Sequence, residues 1–219
     1  VSPGQPLRAV LFDWDGTLAD SAELSYRIYA ALFAGFGLRF DRHIFAETYS
    51  PDWYRTFEGV GLPRERWANA DARWLELYAR ESVALLPGAR DALRRVKDAG
   101  LALALVTSGS RDRVRRDLAR LEVGPLFGEV VCGEDVQQRK PHPHGLLLAL
   151  DRLGVPARAA ACVGDSPEDV MMAKAAGALA VGIPGGFPNR EQLRAAGPDL
   201  LVPSLADAVD ALLRGAPRP

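Results

Sequence analysis

Apolar and polar positions fall into two regimes along the chain. From about residue 88 onward, short continuous apolar runs alternate with segments whose apolar residues recur every three or four positions. "LALALVTSG" (101–109), "GEVVCG", "RAAACVGDS", "ALAVGIP" and "DLLVPS" read as buried strands. "RDRVRRDLARLE" (111–122), "PHGLLLALDRLG", "PEDVMMAKAAG" and "LADAVDALLRG" read as helices, two of them stopped by Gly154 and Gly177. Repeated strand–helix units predict a parallel sheet covered by helices on both faces. The apolar run Ala9–Phe12 supplies one more strand of that sheet. Residues 20–87 break the alternation. There Leu24, Ile28, Leu32 and Phe36 form a helical stripe, "PRERWANADARWLELYARESV" reads as further helix, and no strand is evident. The expected fold class is therefore α/β, a Rossmann-like parallel-sheet core with an inserted, wholly helical small domain. The core is expected to comprise 1–19 and 88–219, and the insert 20–87.

Composition narrows the setting. The chain has 219 residues, a hydrophobic fraction of 48%, a charged fraction of 25% and a net charge of −1. That balance gives no electrostatic case for nucleic acid or an anionic membrane. The arginines of "RDRVRRDLARLE" alternate with acids and read as a solvated helix face. No apolar run approaches the ~18 residues of a membrane span, and "VSPGQPLRAV" lacks a leader-like apolar stretch. A cytoplasmic protein is expected. Cys132 and Cys162 sit in strand-like runs and read as core.

The chemistry gathers where strands end. Ligands of open parallel sheets bind beyond the carboxyl ends of the strands. After the first strand stand Asp13 and Asp15; after the second, Thr107 and Ser108. "RKPHP" carries Lys140, one of only three lysines, and "GDSPED" carries Asp165 and Asp169. Singly these are ordinary: Thr107, Ser108 and Ser110 suit a helix cap, and Ser166-Pro167-Glu168-Asp169 suits a capping box. Capping does not explain four acids, a lysine and a hydroxyl at one sheet edge. Four carboxylates carry −4, Lys140 leaves −3, a divalent cation −1, and a proton on Asp15, its affinity raised by crowding, leaves zero. Hard oxygen ligands favour Mg²⁺.

"DWDGTLADS", "VTSGS", "RKPHP" and "GDSPED" resemble, in order and spacing, the four motifs of the haloacid dehalogenase-like phosphohydrolases. The helical insert resembles that family's α-helical cap, and the whole is similar to the phosphoglycolate phosphatase and β-phosphoglucomutase branch. Trp14 is bulkier than the residue usual at its place. The resemblance implies a Mg²⁺-dependent phosphatase of a small phosphorylated metabolite, acting through an aspartyl-phosphate. Asp13 would be the nucleophile and Asp15 the general acid, then base. Thr107, the Ser108 N–H and Lys140 would hold phosphate. Asp13, the Asp15 carbonyl and Asp165 would ligate the metal, with Asp169 in support. Nothing implies a nucleic acid or membrane partner, and a monomer or weak homodimer is expected.

Three other readings compete. A receiver-like phosphoacceptor module is shorter, lacks a cap and places its acid pair before its lysine. A dehalogenase makes no use of Asp15 or the metal acids. A β-phosphoglucomutase-like mutase shares every core motif, but its relatives carry a histidine near the cap hinge where this chain has Ser25. Specificity is expected from the cap. "TYSPDWYRTFEGVGLP" (48–63) is its least regular stretch, and Arg55 within it is a candidate contact for an anionic part of the substrate.

Overall fold

The computed structural model of the chain describes residues 6–214. The N-terminal residues 1–5 of the stretch read above for a leader lie outside the described residues, as do 215–219 of the expected core. β1 (Ala9–Phe12) leads through a tight turn to the two-residue strand β2 (Ala19–Asp20). Four helices follow: α1 (Ala22–Gly35), α2 (Arg42–Thr48), α3 (Trp53–Val60) and α4 (Trp67–Ala79). β3 (Ala84–Leu85) then pairs antiparallel with β2. This two-stranded tie at the base of the insert escaped the sequence reading, because two residues carry no periodicity to detect.

The alternating half runs as expected: α5 (Ala89–Asp98), β4 (Ala102–Val106), α6 (Arg111–Arg120), β5 (Glu129–Val131), α7 (His144–Leu153), β6 (Ala160–Gly164), α8 (Pro167–Ala176), β7 (Leu179–Gly182), α9 (Arg190–Ala195), β8 (Leu200–Leu201) and α10 (Leu205–Arg214). The six longer-range strands form one sheet in the order β5-β4-β1-β6-β7-β8, every pair parallel.

Side chains of these strands alternate between two cores, as the pleat requires. Val10 and Phe12, Leu103 and Leu105, Ala161 and Val163 face one layer, packed by Leu93 and Val96 of α5, Val114 of α6 and Val209 of α10. Ala9 and Leu11, Ala104 and Val106, Ala160 and Cys162 face the other, packed by Leu146 of α7, Met172 of α8 and Leu193 of α9. Both faces are covered, which is why the strands read as continuous apolar runs. The insert has its own aromatic core of Tyr29, Phe33, Phe45 and Phe57, joined by Phe187 from the loop after β7. Phe187 stacks on Tyr49 at 4.3 Å between ring centroids, fastening insert to core.

Candidate active site

β1 lies between β4 and β6, so the residues after these three strands stand side by side. The Asp13 N–H donates to the Val163 carbonyl (3.0 Å) and the Thr107 N–H to the Val131 carbonyl (3.0 Å). Asp13, Thr107 and Asp165 are thus set by sheet register. The Asp13 carboxylate accepts from Lys140 Nζ at 2.6 Å, and the same ammonium donates to Asp169 Oδ1 at 2.6 Å. Asp169 Oδ2 accepts from the Ser166 N–H and hydroxyl, and its own N–H donates to Ser166 Oγ, so the capping box exists and holds the acid in place. Asp169 therefore belongs to the helix cap and the site at once.

Asp13, Asp165 and Asp169 each bring a carboxylate oxygen within 4.8 Å of the others, and all three are buried. Asp165 Oδ1 accepts from the Thr17 hydroxyl (3.2 Å), while Oδ2, fully buried, has no partner among the described residues. The backbone crowds that oxygen. A Cβ at Gly16 would lie 2.3 Å from it and one at Gly185 2.1 Å, and Gly16 also has φ +78°. An orphaned anionic oxygen beside two further carboxylates fits a hard cation and nothing apolar. Burial, then the charges of Asp13 and Asp169, push Asp165 well above the ordinary carboxylate range. Burial also lifts Asp13, to about 7, against the pull of Lys140. The two acids raise Lys140 despite its burial, so it stays charged.

Asp15 behaves otherwise than expected. Crowding was to raise its proton affinity; instead it is lowered. Burial alone would raise it, but the Arg113 guanidinium overrides burial by its charge and two hydrogen bonds, Nη1 to Oδ1 at 2.9 Å and Nη2 to Oδ2 at 2.5 Å. The charge count must include Arg113. Four acids against Lys140 and Arg113 leave −2, which one divalent cation neutralises with no proton on Asp15. Arg113 and Asp117 of α6 are both buried, correcting the reading of that helix's charged residues as a solvated face. The signal was present only as the i, i+4 pair Arg113/Asp117 in phase with Val114 and Leu118, hidden among seven charged residues on α6.

A cavity of about 190 Å³ opens over these groups. Asp13, Asp15, Thr107, Ser108, Lys140 and Asp165 line it from the core. The insert contributes Ser25, Tyr29, Tyr49, Ser50, Trp53 and Trp74, none of which the sequence reading named as substrate-facing except through the stretch 48–63 and the place of Ser25. The middle of that stretch is regular: Asp52 caps α3 by accepting from the Tyr54 N–H, and Trp53–Val60 is helix. Arg55 sits on that helix with its side chain 64% exposed, 3.9 Å from Asp52, and is not among the residues lining the cavity. The α3 turn rotates it away; Arg139, 4.3 Å over the Trp53 ring, lines the cavity together with Arg113 and Lys140. Thr107 accepts from the Gly109 N–H at 3.0 Å, which fixes the loop that carries Ser108. Trp14 points away into the core, fully buried.

Residues 10–183 match the model of the haloacid dehalogenase-like hydrolase family. The chain belongs to that family. It is 32% identical to the phosphoglycolate phosphatase of Salmonella typhimurium, over 95% of this chain and 93% of that enzyme. With the phosphoglycolate phosphatase of Escherichia coli K12 the identity is 31%, at the same coverage. Among solved structures, CbbY from Rhodobacter sphaeroides, crystallised in complex with phosphate, is 31% identical and superposes with a TM-score of 0.74, covering 92% of this chain and 96% of CbbY. A β-phosphoglucomutase from Clostridium difficile shares the fold at 19% identity and a TM-score of 0.75, covering 95% and 97%. The family's hydrolases are generally metal-dependent, in keeping with the buried acid cluster. No helix of the described residues is long and apolar enough to cross a membrane.

Proposed function

We propose that the protein is a Mg²⁺-dependent phosphatase that hydrolyses a small phosphomonoester, phosphoglycolate-like or a sugar phosphate, through phosphorylation of Asp13. The observation that carries this reading is the Asp13 carboxylate at the floor of the cavity, one oxygen held by Lys140, beside a buried acid with an unpartnered oxygen. Asp13, Asp165 and the Asp15 carbonyl would hold Mg²⁺, with Asp169 positioning Lys140. When bound, the ion supplies charge neutralisation at the phosphoryl oxygens.

The chain's own residues do the rest. Lys140 keeps Asp13 aligned and shields the incoming phosphate group from Asp169. Thr107 and the Ser108 N–H face the phosphoryl oxygens. Asp13 attacks phosphorus, the bond to the leaving oxygen breaks, and that oxygen takes, by way of Asp15, the proton that a monoanionic substrate brings into the site. Water then attacks the phosphorylated Asp13; its proton goes to Asp15 and phosphate leaves. Tyr49, Phe187 and Trp53 wall the cavity against bulk water. Ser25 lines the cavity where mutase relatives carry a histidine, and its hydroxyl is a poor proton shuttle near pH 7, which favours water over a sugar as acceptor. We place the catalytic core at 1–19 and 88–219 and the cap at 20–87, acting in the cytoplasm as a monomer or weak homodimer.

The test is a panel of phosphomonoesters with Mg²⁺, measuring released phosphate, run beside Asp13→Asn. Phosphate release that Asp13→Asn lowers by orders of magnitude supports the reading. Activity surviving the substitution, or glucose 6-phosphate forming from β-glucose 1-phosphate faster than phosphate appears, refutes it.

A further inference from the structure

Arg113 is a buried cation with no place in the scheme so far. It rises from the first turn of α6, and its side chain is only 5% exposed. Three sets of contacts fix its guanidinium. Both nitrogens grip the two Asp15 oxygens, a paired geometry that sets the plane as well as the position of a carboxylate. On the core side the backbone at Gly109 passes so near that a Cβ there would lie 2.1 Å from Nη2. On the far side stand two rings of α4, in the insert: the guanidinium is 4.9 Å from the Tyr78 centroid and 5.8 Å from that of Trp74, and the rings stack on each other at 5.1 Å. Nη1 also donates to the Tyr78 hydroxyl (3.3 Å), which donates in turn to Asp117 Oδ2 (3.1 Å).

We propose that Arg113 is a positioning residue that aims the Asp15 carboxyl at the leaving oxygen, and that Tyr78 and Trp74 of the cap complete its seat. The proposal rests on the reading of Asp15 as acid and base. Asp15 is the one acid of the four outside the Asp13–Asp165–Asp169 cluster; Arg113 rather than Lys140 holds its carboxylate, which lines the cavity. A free carboxylate there would have several rotamers, few of them pointing at the reacting oxygen. The clamp removes that freedom before substrate arrives. Because half of the clamp's seat belongs to α4, Asp15 is aligned only with the cap docked, so docking and proton transfer are coupled through one side chain. Arginine is required because a lysine offers no two-pronged plane.

The test separates proton transfer from general damage by the quality of the leaving group. An alkyl phosphate leaves as a strongly basic alkoxide and needs a proton; p-nitrophenyl phosphate leaves as a stabilised phenolate and scarcely does. The measurement is kcat/KM, which reports phosphoryl transfer to Asp13, for both substrates in wild type, Arg113→Lys, Tyr78→Phe and Asp15→Asn, with thermal melts as a folding control. In Arg113→Lys the alkyl/aryl ratio is expected to fall by roughly 10²-fold, the scale of a misaimed general acid. Tyr78→Phe keeps the ring, melts near wild type and lowers the ratio several-fold. A fall of equal factor on both substrates in Arg113→Lys, or an unaltered ratio in Tyr78→Phe, overturns the clamp. Asp15→Asn distinguishes the two readings: if it too leaves the ratio unaltered, the acid role of Asp15 fails; if it collapses the ratio while Arg113→Lys does not, only the clamp fails.

Discussion

Asp165→Asn should make the metal-free protein more stable while destroying its response to Mg²⁺. Asp165 is 2% exposed and has one hydroxyl, Thr17, as its partner. Two further carboxylates lie within 4.8 Å; at an effective dielectric of 20 each repels an ionised Asp165 by about 3.5 kcal/mol or more. Lys140 is already committed to Asp13 and Asp169. The penalty has a ceiling, because the folded protein can always protonate the acid. Holding neutral at pH 7 a group that ionises near 3.9 when unfolded costs about 4 kcal/mol. Asparagine keeps the Thr17 contact without that cost. A gain of half the ceiling, about 2 kcal/mol, raises Tm by roughly 4–8 °C in a chain of this size. The sign with pH is definite. A carboxyl whose proton affinity is raised by folding binds more protons folded than unfolded, so wild-type stability falls as pH climbs from about 4 toward 7. Asp13, pushed up to about 7, adds to that fall. The variant's advantage should therefore be small near pH 4 and grow to neutrality. At one hundred times its Kd, Mg²⁺ should stabilise wild type by about 2.7 kcal/mol and the variant hardly at all. Thermal unfolding by circular dichroism in chelator, then in Mg²⁺, across pH 4.5–7.5 decides the matter. A metal-free variant less stable than wild type at pH 7, or a difference flat with pH, would refute the reasoning.

Further expectations concern activity. Dialysis against a chelator should abolish phosphate release and Mg²⁺ should restore it, with Ca²⁺ a poor substitute because it expands its oxygen shell; full activity in the stripped protein would leave Asp165 without a role. Lys140→Ala should cost kcat at least 10²-fold and, by leaving Asp13 and Asp169 unpaired and buried, lower Tm as well; a wild-type melt would count against the pairing. Arg55→Ala should leave KM and kcat near wild type across a substrate panel, whereas Arg139→Ala should raise KM several-fold for substrates with a second anionic group; the reverse ranking would restore Arg55 as the contact.

The core was legible because its grammar is redundant. The central strands β1, β4 and β6 are short apolar runs buried on both faces, and α7 and α8 have glycine stops at Gly154 and Gly177, both left-handed in the structure. The strand-end site residues were legible because strand order brings Asp13, Thr107 and Asp165 to adjacent places whatever the loops do. The insert was less so. Asp52 caps α3, yet the preceding turn residues made the whole of 48–63 look irregular, and the turn carried Arg55 outward. Tyr49 and Trp53, which do face the site, are aromatic residues indistinguishable in sequence from insert core. Arg113 was illegible for another reason. Its partner lies 98 residues away, and an arginine among arginines gives no sign that its face of the helix turns inward.

That omission altered the charge argument itself. With four acids and one lysine, neutrality demanded both a divalent cation and a proton, and Asp15 was the natural place for the proton. The structure supplies a second buried cation, so the cation alone suffices and Asp15 stands ionised in the resting protein. On the proposed reading, an ionised Asp15 is the form that would accept a proton from attacking water in the step that releases phosphate from Asp13. It is not the form that protonates a leaving group, so the first step requires a proton to reach Asp15 or the phosphate oxygen with the substrate. Monoanionic phosphomonoesters carry one. A resting site biased toward the base form, with a serine where mutase relatives place a histidine, is organised around water as the final acceptor. The rings of Trp74 and Tyr78 cover Arg113 and keep its side chain from solvent, and a guanidinium–carboxylate pair holds its aim far better dry than hydrated.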